Sequence, residues 1–370
     1  MKLVLLCLCA VAPLAAQGGG PTDGVGTAAR TGLVFDGYYF GSSYAFDHVV
    51  EWTVPVSVSH RLSPSLTMDL SSGYAHAAAA TSSGTIEVSG PTDTDVRLSW
   101  AAVSGRLIVS VAGTLPTGKK SVDTSSVPLL SALATELLNF PTPSFGTGGG
   151  VTGGFATAFK LGERWAAGVG GSYRWRAAYT PLAGSGDLEP GGEGRVRIGV
   201  EGPLGDGGYF RGAAVYAGSG ADTLDAGSRS VSGGRLLLYS GLNLPVGRGT
   251  LSLYAYDRYR FRPHGYDSTV VQVPRGNVLA LGARLERSLS PALRLAPNIE
   301  FRNELAPSKD GGLALLGWLV RPGVDLRYRA GGAVTMVVQG QAAFGRLADG
   351  GGSSVSLVGP RAVVLLEWTR

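Results

Sequence analysis

The chain has 370 residues, among them 58 glycines and 20 prolines, with 16% charged residues, a formal net charge of +5 and a mean hydropathy of +0.15. That balance is too apolar for a disordered chain and too charged for a bundle of membrane helices, and the glycines show no G-X-Y period of the collagen kind. Both cysteines, Cys7 and Cys9, fall within the first nine residues, so the rest of the chain carries neither a disulfide framework nor a cysteine metal site.

At the start, Lys2 precedes an apolar run over residues 3–14, followed by Ala15, Ala16 and Gln17. One positive charge, about 12 apolar residues and a small-residue end are the pattern of a secretory signal, too short to span a membrane as a helix. The reading is a signal peptide over 1–17 cleaved near Ala16 or Gln17, a short periplasmic segment over 18–30, and one domain over 31–370 with no linker or charge run inside it.

From there on, apolar residues alternate with polar ones. A first strand is expected at residues 33–40. Over residues 50–58, Val50, Trp52, Val54, Val56 and Val58 share one face and Glu51, Thr53, Pro55 and Ser57 the other. The same period of two recurs with Val96, Leu98 and Trp100 against Asp95, Arg97 and Ser99. It returns with Val196, Ile198 and Val200 against Arg195, Arg197 and Glu201. Over 293–302 it sets Leu293, Leu295, Pro297, Ile299 and Phe301 against Arg294, Asn298, Glu300 and Arg302. This is strand periodicity, and no helical template fits it.

Turn signals fall between these strands in two alternating classes. Short ones lie at 62–65, 104–105, 162–163, 203–207, 245–247, 288–291 and 330–332, and long ones near 77–92, 116–148, 178–192, 218–232, 262–275, 304–312 and 345–354. Short turns on one side and long loops on the other, over an apolar chain without a long apolar segment, predict an all-β protein: a transmembrane antiparallel up-and-down β-barrel of the bacterial cell outer membrane. The count is about sixteen strands, with fourteen as the nearest alternative. A soluble β-sandwich or solenoid is the competing architecture, and the uninterrupted length of the domain argues against it. Tyrosines and tryptophans near strand ends, among them Tyr38, Tyr39, Tyr74, Tyr266 and Trp368, suit interfacial girdles.

With the polar faces turned inward, arginines outnumber the facing carboxylates, which predicts a mildly anion-favouring interior. The lumen-lining candidates are Tyr254, Tyr256, Arg258, Arg260 and Arg262, a basic ladder with aromatic residues above it, together with Arg294, Glu300 and Arg302. The loop at 116–148 contains Val127, Leu130, Leu133, Ala134, Leu137 and Leu138 at helical spacing, with Pro128 in the first turn and Pro141 beyond the end. A short helix in a long extracellular loop follows. Leu130, Leu133 and Leu137 form either a lid packed over the rim or an apolar docking ledge.

The Leu115-Pro116-Thr117-Gly118-Lys119 sequence at a strand end, the helix-bearing third outer loop and the glycine-rich opening of the strand at 149–160 together resemble one family. It is the outer-membrane transporters of the long-chain fatty-acid and aromatic-hydrocarbon uptake group, which includes phenol-degradation pathway proteins. The resemblance covers about 60 residues around 107–165 and the overall strand rhythm. It implies uptake of hydrophobic compounds, with a periplasmic N-terminal segment plugging the barrel and solutes leaving sideways into the bilayer. This chain departs from the group in having only residues 18–31 before the first strand and no Asn-Pro-Ala start.

The expected function is therefore an outer-membrane channel or transporter for small hydrophobic or amphipathic solutes. The alternatives are a general diffusion porin with slight anion preference, or a structural or adhesive barrel that transports nothing. No catalytic residues are expected, because the four histidines, His48, His60, His76 and His264, accompany no Gly-x-Ser-x-Gly elbow. No cofactor and no metal site is expected, because no ligand spacing is present. The expected partners are outer-membrane lipids, the small-molecule solute and, during biogenesis, the barrel assembly machinery, with no nucleic acid.

Overall fold

The computed structural model describes residues 26–41, 44–103, 106–224, 228–263, 270–272, 275–307, 312–348 and 353–370. The predicted signal peptide, most of the 18–30 segment, His264 and Tyr266 lie outside the described residues.

In chain order the first half of the wall consists of β1 (Thr27–Phe40), β2 (His48–Ser63), β3 (Leu66–Thr81), β4 (Gly84–Pro91), β5 (Thr94–Ala102) and β6 (Leu107–Leu115). A loop then carries a single 3-10 turn, Thr124–Ser126, and the helix α1 (Val127–Leu133). The chain re-enters the wall as β7 (Gly150–Leu161) and β8 (Trp165–Arg176), makes the short outer strand β9 (Leu188–Glu189), and continues with β10 (Glu193–Leu204) and β11 (Gly208–Ser219). Two more outer strands, β12 (Asp222–Leu224) and β13 (Ser228–Val231), precede β14 (Arg235–Val246) and β15 (Gly249–Arg260). After β16 (Val270–Gln272) come β17 (Gly276–Ser288), β18 (Leu293–Pro307), β19 (Leu313–Arg329), β20 (Val334–Ala348) and β21 (Ser354–Thr369).

Every wall strand pairs antiparallel with its neighbours in sequence, and β1 closes the sheet on β21. The closure is tied at the seam, where the Thr27 amide donates to Arg370 O at 3.0 Å and the Arg370 amide to Thr27 O at 2.9 Å. β4 and β5 both pair with β3, on its upper and lower parts, so they occupy one barrel position. The wall is thus a closed sixteen-stranded antiparallel barrel, and the fourteen-strand alternative falls away. Strands of about twelve residues, tilted as barrels require, span roughly 30 Å, the thickness of a bilayer core. β9, β12, β13 and β16 form a separate four-stranded sheet among the outer loops.

Among the described residues the turns fall where the sequence placed them, with one exception; the turn expected at 104–105 lies outside the described residues. Gly162, Gly205, Gly207 and Gly247 hold positive φ in the short turns, the conformation that only glycine adopts without strain. The exception is 77–92, read as a long loop. It is instead the β3–β4 hairpin, turning at residues 82–83, with β4 standing above β5, whose pairing with β6 ends at Thr94 and Leu115. The run Ala77 to Ala80 shows no polar and apolar alternation to read, because its inward residues are alanines that pack against the loop between β6 and β7. β1 begins at Thr27, earlier than the strand expected from residue 33.

Outside, the wall is apolar: Val56, Val111, Val151, Phe155, Ile198, Leu238, Ile299, Phe344 and Leu366 are all exposed. Trp52 stacks on Tyr74 at 5.6 Å and on His76 at 5.7 Å toward the outer rim, while Trp100, Trp165 and Trp368 lie toward the short-turn rim. That is the two-girdle arrangement of a membrane barrel. Tyr38 does not belong to it. It lies on the inward face of β1, 1% exposed, because Asp36 and Tyr38 share the parity that points into the barrel.

Candidate functional site: the barrel interior

The interior divides into two arcs, and the loop between β6 and β7 makes the division. Its two ends are drawn together by Asp93, in the break between β4 and β5. One carboxylate oxygen accepts the Gly118 amide at 3.0 Å, and the other accepts the Thr147 amide at 2.6 Å and the Thr147 hydroxyl at 3.2 Å. From this neck the loop folds into the barrel against the inner face of β18 to β21 and β1 to β4.

The contact is largely apolar. Leu129, Leu133, Leu137, Leu138, Phe140 and Phe145 of the loop are buried with Val49, Ala75, Ala77, Ala79, Val88, Leu319, Ala343, Leu347 and Leu357 of the wall. The alanines on β3 are the small residues that hid this hairpin in the sequence, and they make the bed on which the loop leucines lie. α1 spans seven residues, shorter than the helix expected to reach Leu138. A helix of this length does not form on propensity alone, so the wall stabilises it through Leu129 and Leu133. The chain then turns at Asn139, whose φ of 54° is a left-handed conformation that asparagine tolerates. The turn sends the Leu138 carbonyl toward Tyr38 and Arg321 and places Phe140 edge-on to Tyr38 at 5.2 Å.

Beneath the loop lies a buried charge network. Arg302, 1% exposed at its side chain, donates through Nε to Glu300 Oε1 at 2.7 Å, and its guanidinium stands over the Tyr256 ring at 5.9 Å. Arg321 lies 3.5 Å from the same Glu300 oxygen, hydrogen-bonds Tyr38, and donates to Leu138 O at 3.1 Å. The Tyr38 hydroxyl also donates to Leu138 O, at 2.7 Å. Tyr254 donates to Glu300; a Cβ at Gly282 would overlap the Tyr254 ring, so glycine there lets the ring lie flat across the wall. Arg361 pairs with Asp36 at 3.3 Å, and the Thr53 hydroxyl donates to Glu51 at 2.7 Å while meeting Thr142 of the loop at 3.0 Å. Buried charges of this kind are tolerated only when paired and hydrogen-bonded. Here they hold the loop by its backbone.

The opposite arc, β8 to β15, is not covered. Its register turns Arg174, Arg176, Arg195, Arg197, Arg211, Arg235, Arg258 and Arg260 inward, with Glu193 and Glu201 as the facing carboxylates. The side chains are solvated: Arg235 is 40% exposed and Arg258 39%. Glu193 contacts both Arg195 and Arg235, and Arg211 pairs with Glu201 at 2.9 Å. Inward-facing arginines with this much exposure border water-filled space.

The structure distributes the sequence candidates between the two arcs. Arg258 and Arg260 stand on the exposed arc. Tyr254, Tyr256, Glu300 and Arg302 belong to the network under the loop. Arg294 faces inward near the short-turn rim, 3.2 Å from Glu286. Arg262 lies beyond the end of β15 in an outer groove with Tyr216, Val231, Ser232, Phe261 and Pro263, so the basic ladder stops at Arg260. Leu133 and Leu137 are covered by the wall and Leu130 is half-buried, which makes them the attachment of the loop and leaves no open ledge. Sequence reading missed the anchors Asp36, Tyr38 and Arg361. Their inward parity was legible; that a loop would sit on them was not.

A closed antiparallel wall, apolar outside and charged within, is the architecture of a bacterial outer-membrane β-barrel, and the outer membrane is where this chain belongs. No family model matches the chain, and no curated protein matches it in sequence. Among solved structures it is similar to OccAB3 of Acinetobacter baumannii (TM-score 0.48, 10% identity, 94% of this chain and 99% of that one). It is also similar to OmpT, an outer membrane protein of Vibrio cholerae (0.42, 11%, 94% and 99%), and to the COG4313 outer membrane channel of Pseudomonas putida F1 (0.38, 11%, 94% and 100%).

Proposed function

We propose that this barrel is a diffusion channel for small water-soluble solutes, narrowed by the inward-folded loop at 116–149 and favouring anions. The observation that carries the reading is the division of the interior: the loop covers one arc and leaves the arginine-rich arc solvated. Rings of like charge along a pore set the sign of the ions it admits. A hydrophobic-solute route has less support, because the loop leucines that would offer an apolar path are packed against the wall.

Single-channel recording in planar bilayers tests this with the intact barrel and a variant lacking residues 121–145. The intact protein is expected to conduct with a reversal potential of anion preference in a KCl gradient. Deletion is expected to raise the conductance at least about twofold, since a sixteen-strand ring freed of its loop leaves a wide aqueous lumen. Silence in both proteins would overturn the channel reading and favour a structural or adhesive barrel.

A further inference from the structure

Besides a backbone bridge between Val122 and Leu182 at the outer end, the loop reaches the arginines of the exposed arc through the Glu136 carboxylate. Glu136, on the turn after α1, lies 3.0 Å from Arg258 Nη1 and 3.8 Å from Arg260 Nη2, in a cleft that Arg235, Asn277 and Glu304 also line. This contact differs in kind from the anchors on the other arc. The side chains of Glu136, Arg258 and Arg260 are 26%, 39% and 33% exposed, so water reaches all three, and an ion pair this open is weak. The cleft's other carboxylate, Glu304, is engaged by the loop backbone, accepting the Leu137 amide at 3.2 Å. Arg258 and Arg260 stand two residues apart on one face of β15, roughly 7 Å along the strand, so a single carboxylate meets them unequally. That is what the two distances show.

We infer that Arg258 and Arg260 form a binding site for small carboxylate-bearing solutes, which the loop's own Glu136 fills as an internal ligand until solute displaces it. The inference rests on the channel reading and deepens it by naming the solute class. The geometry recommends a short dicarboxylate, with one group for each guanidinium and bidentate pairing at each. Release of Glu136 frees only the tip of the loop, because the leucines and the Leu138 carbonyl remain on the covered arc.

The test is calorimetric titration of the detergent-solubilised full barrel with sodium succinate, using sodium chloride of equal ionic strength as the blank. Succinate is expected to bind the native protein, and Glu136→Gln to tighten binding about fivefold, the competition expected of an exposed ion pair. Replacing both arginines, Arg258→Gln with Arg260→Gln, is expected to abolish binding. Arg258→Lys, which keeps the charge but loses the planar fork, should give an intermediate affinity and provides a readout if the double variant does not fold. Affinity unmoved by Glu136→Gln, binding retained by the double variant, or inorganic phosphate binding as tightly as succinate would each overturn the assignment. The readout is binding, so a silent bilayer sinks the channel reading while the titration still decides the site.

Discussion

The two halves of the barrel interior carry the same kinds of side chain and use them in opposite ways. Arg302 on β18 and Arg258 on β15 both point inward, yet the first is 1% exposed and the second 39%. Under the loop, arginine, carboxylate and tyrosine are desolvated together, and each charge depends on its neighbours. On the open arc the guanidiniums keep their water, so they contribute little to stability and remain available to a passing solute. The difference lies in what covers the side chains.

The largest break in that contrast is expected from the covered arc. Arg302→Leu strips Glu300 of its shortest charged partner inside a dry network, and the barrel should lose about 3–5 kcal/mol. Urea unfolding in detergent micelles measures this, with Arg258→Leu, expected to cost under about 1 kcal/mol, as the matched control on the open arc. Equal losses for the two variants would dissolve the distinction between the arcs.

Next in size is the apolar seal. Leu137→Ala removes a fully buried side chain from the interface of loop and wall and should weaken it by about 2–4 kcal/mol. Because the strands remain paired, the expected signature is flickering current in single-channel records, with the closed wall still resistant to SDS at room temperature. A steady current at the native level would show that the leucines do not hold the loop down.

Asp93→Ala comes third. It leaves the Gly118 and Thr147 amides without their acceptor at the neck of the loop, a cost of about 1–3 kcal/mol. Hydrogen exchange of these two amides should speed up while exchange in the strands is unchanged. Protection unaltered at both positions would show that the neck is closed by something else.

The smallest effect on stability and the clearest on transport should come from Arg258→Gln combined with Arg260→Gln. Folding is expected to be unaffected, and the anion preference measured by reversal potential should fall by about a factor of two. The gap between variant and native protein should narrow in 1 M KCl, where the screening length is about 3 Å. A preference unchanged at low salt would mean that other arginines of the arc set it.

The sequence determined the wall. Period-two alternation, as in Val50, Trp52, Val54 and Val56 against Glu51 and Thr53, states which residues face lipid and which face inward. Glycine-marked short turns alternating with long loops gave the up-and-down order, because both signals are local and repeat along the chain. The inward arginines, Arg258 and Arg260 among them, were legible for the same reason. Tertiary structure alone decided which of them are dry. The sequence shows leucines at helical spacing around Leu133 and alanines at 77–80, and nothing in either run says that the first lies on the second. That contact joins a loop to wall residues distant from it in the chain, and it exists only once the ring has formed and the loop has folded into it. With it come the burial of Arg302 and Arg321, the inward place of Tyr38, and the meeting of Glu136 with the exposed arc.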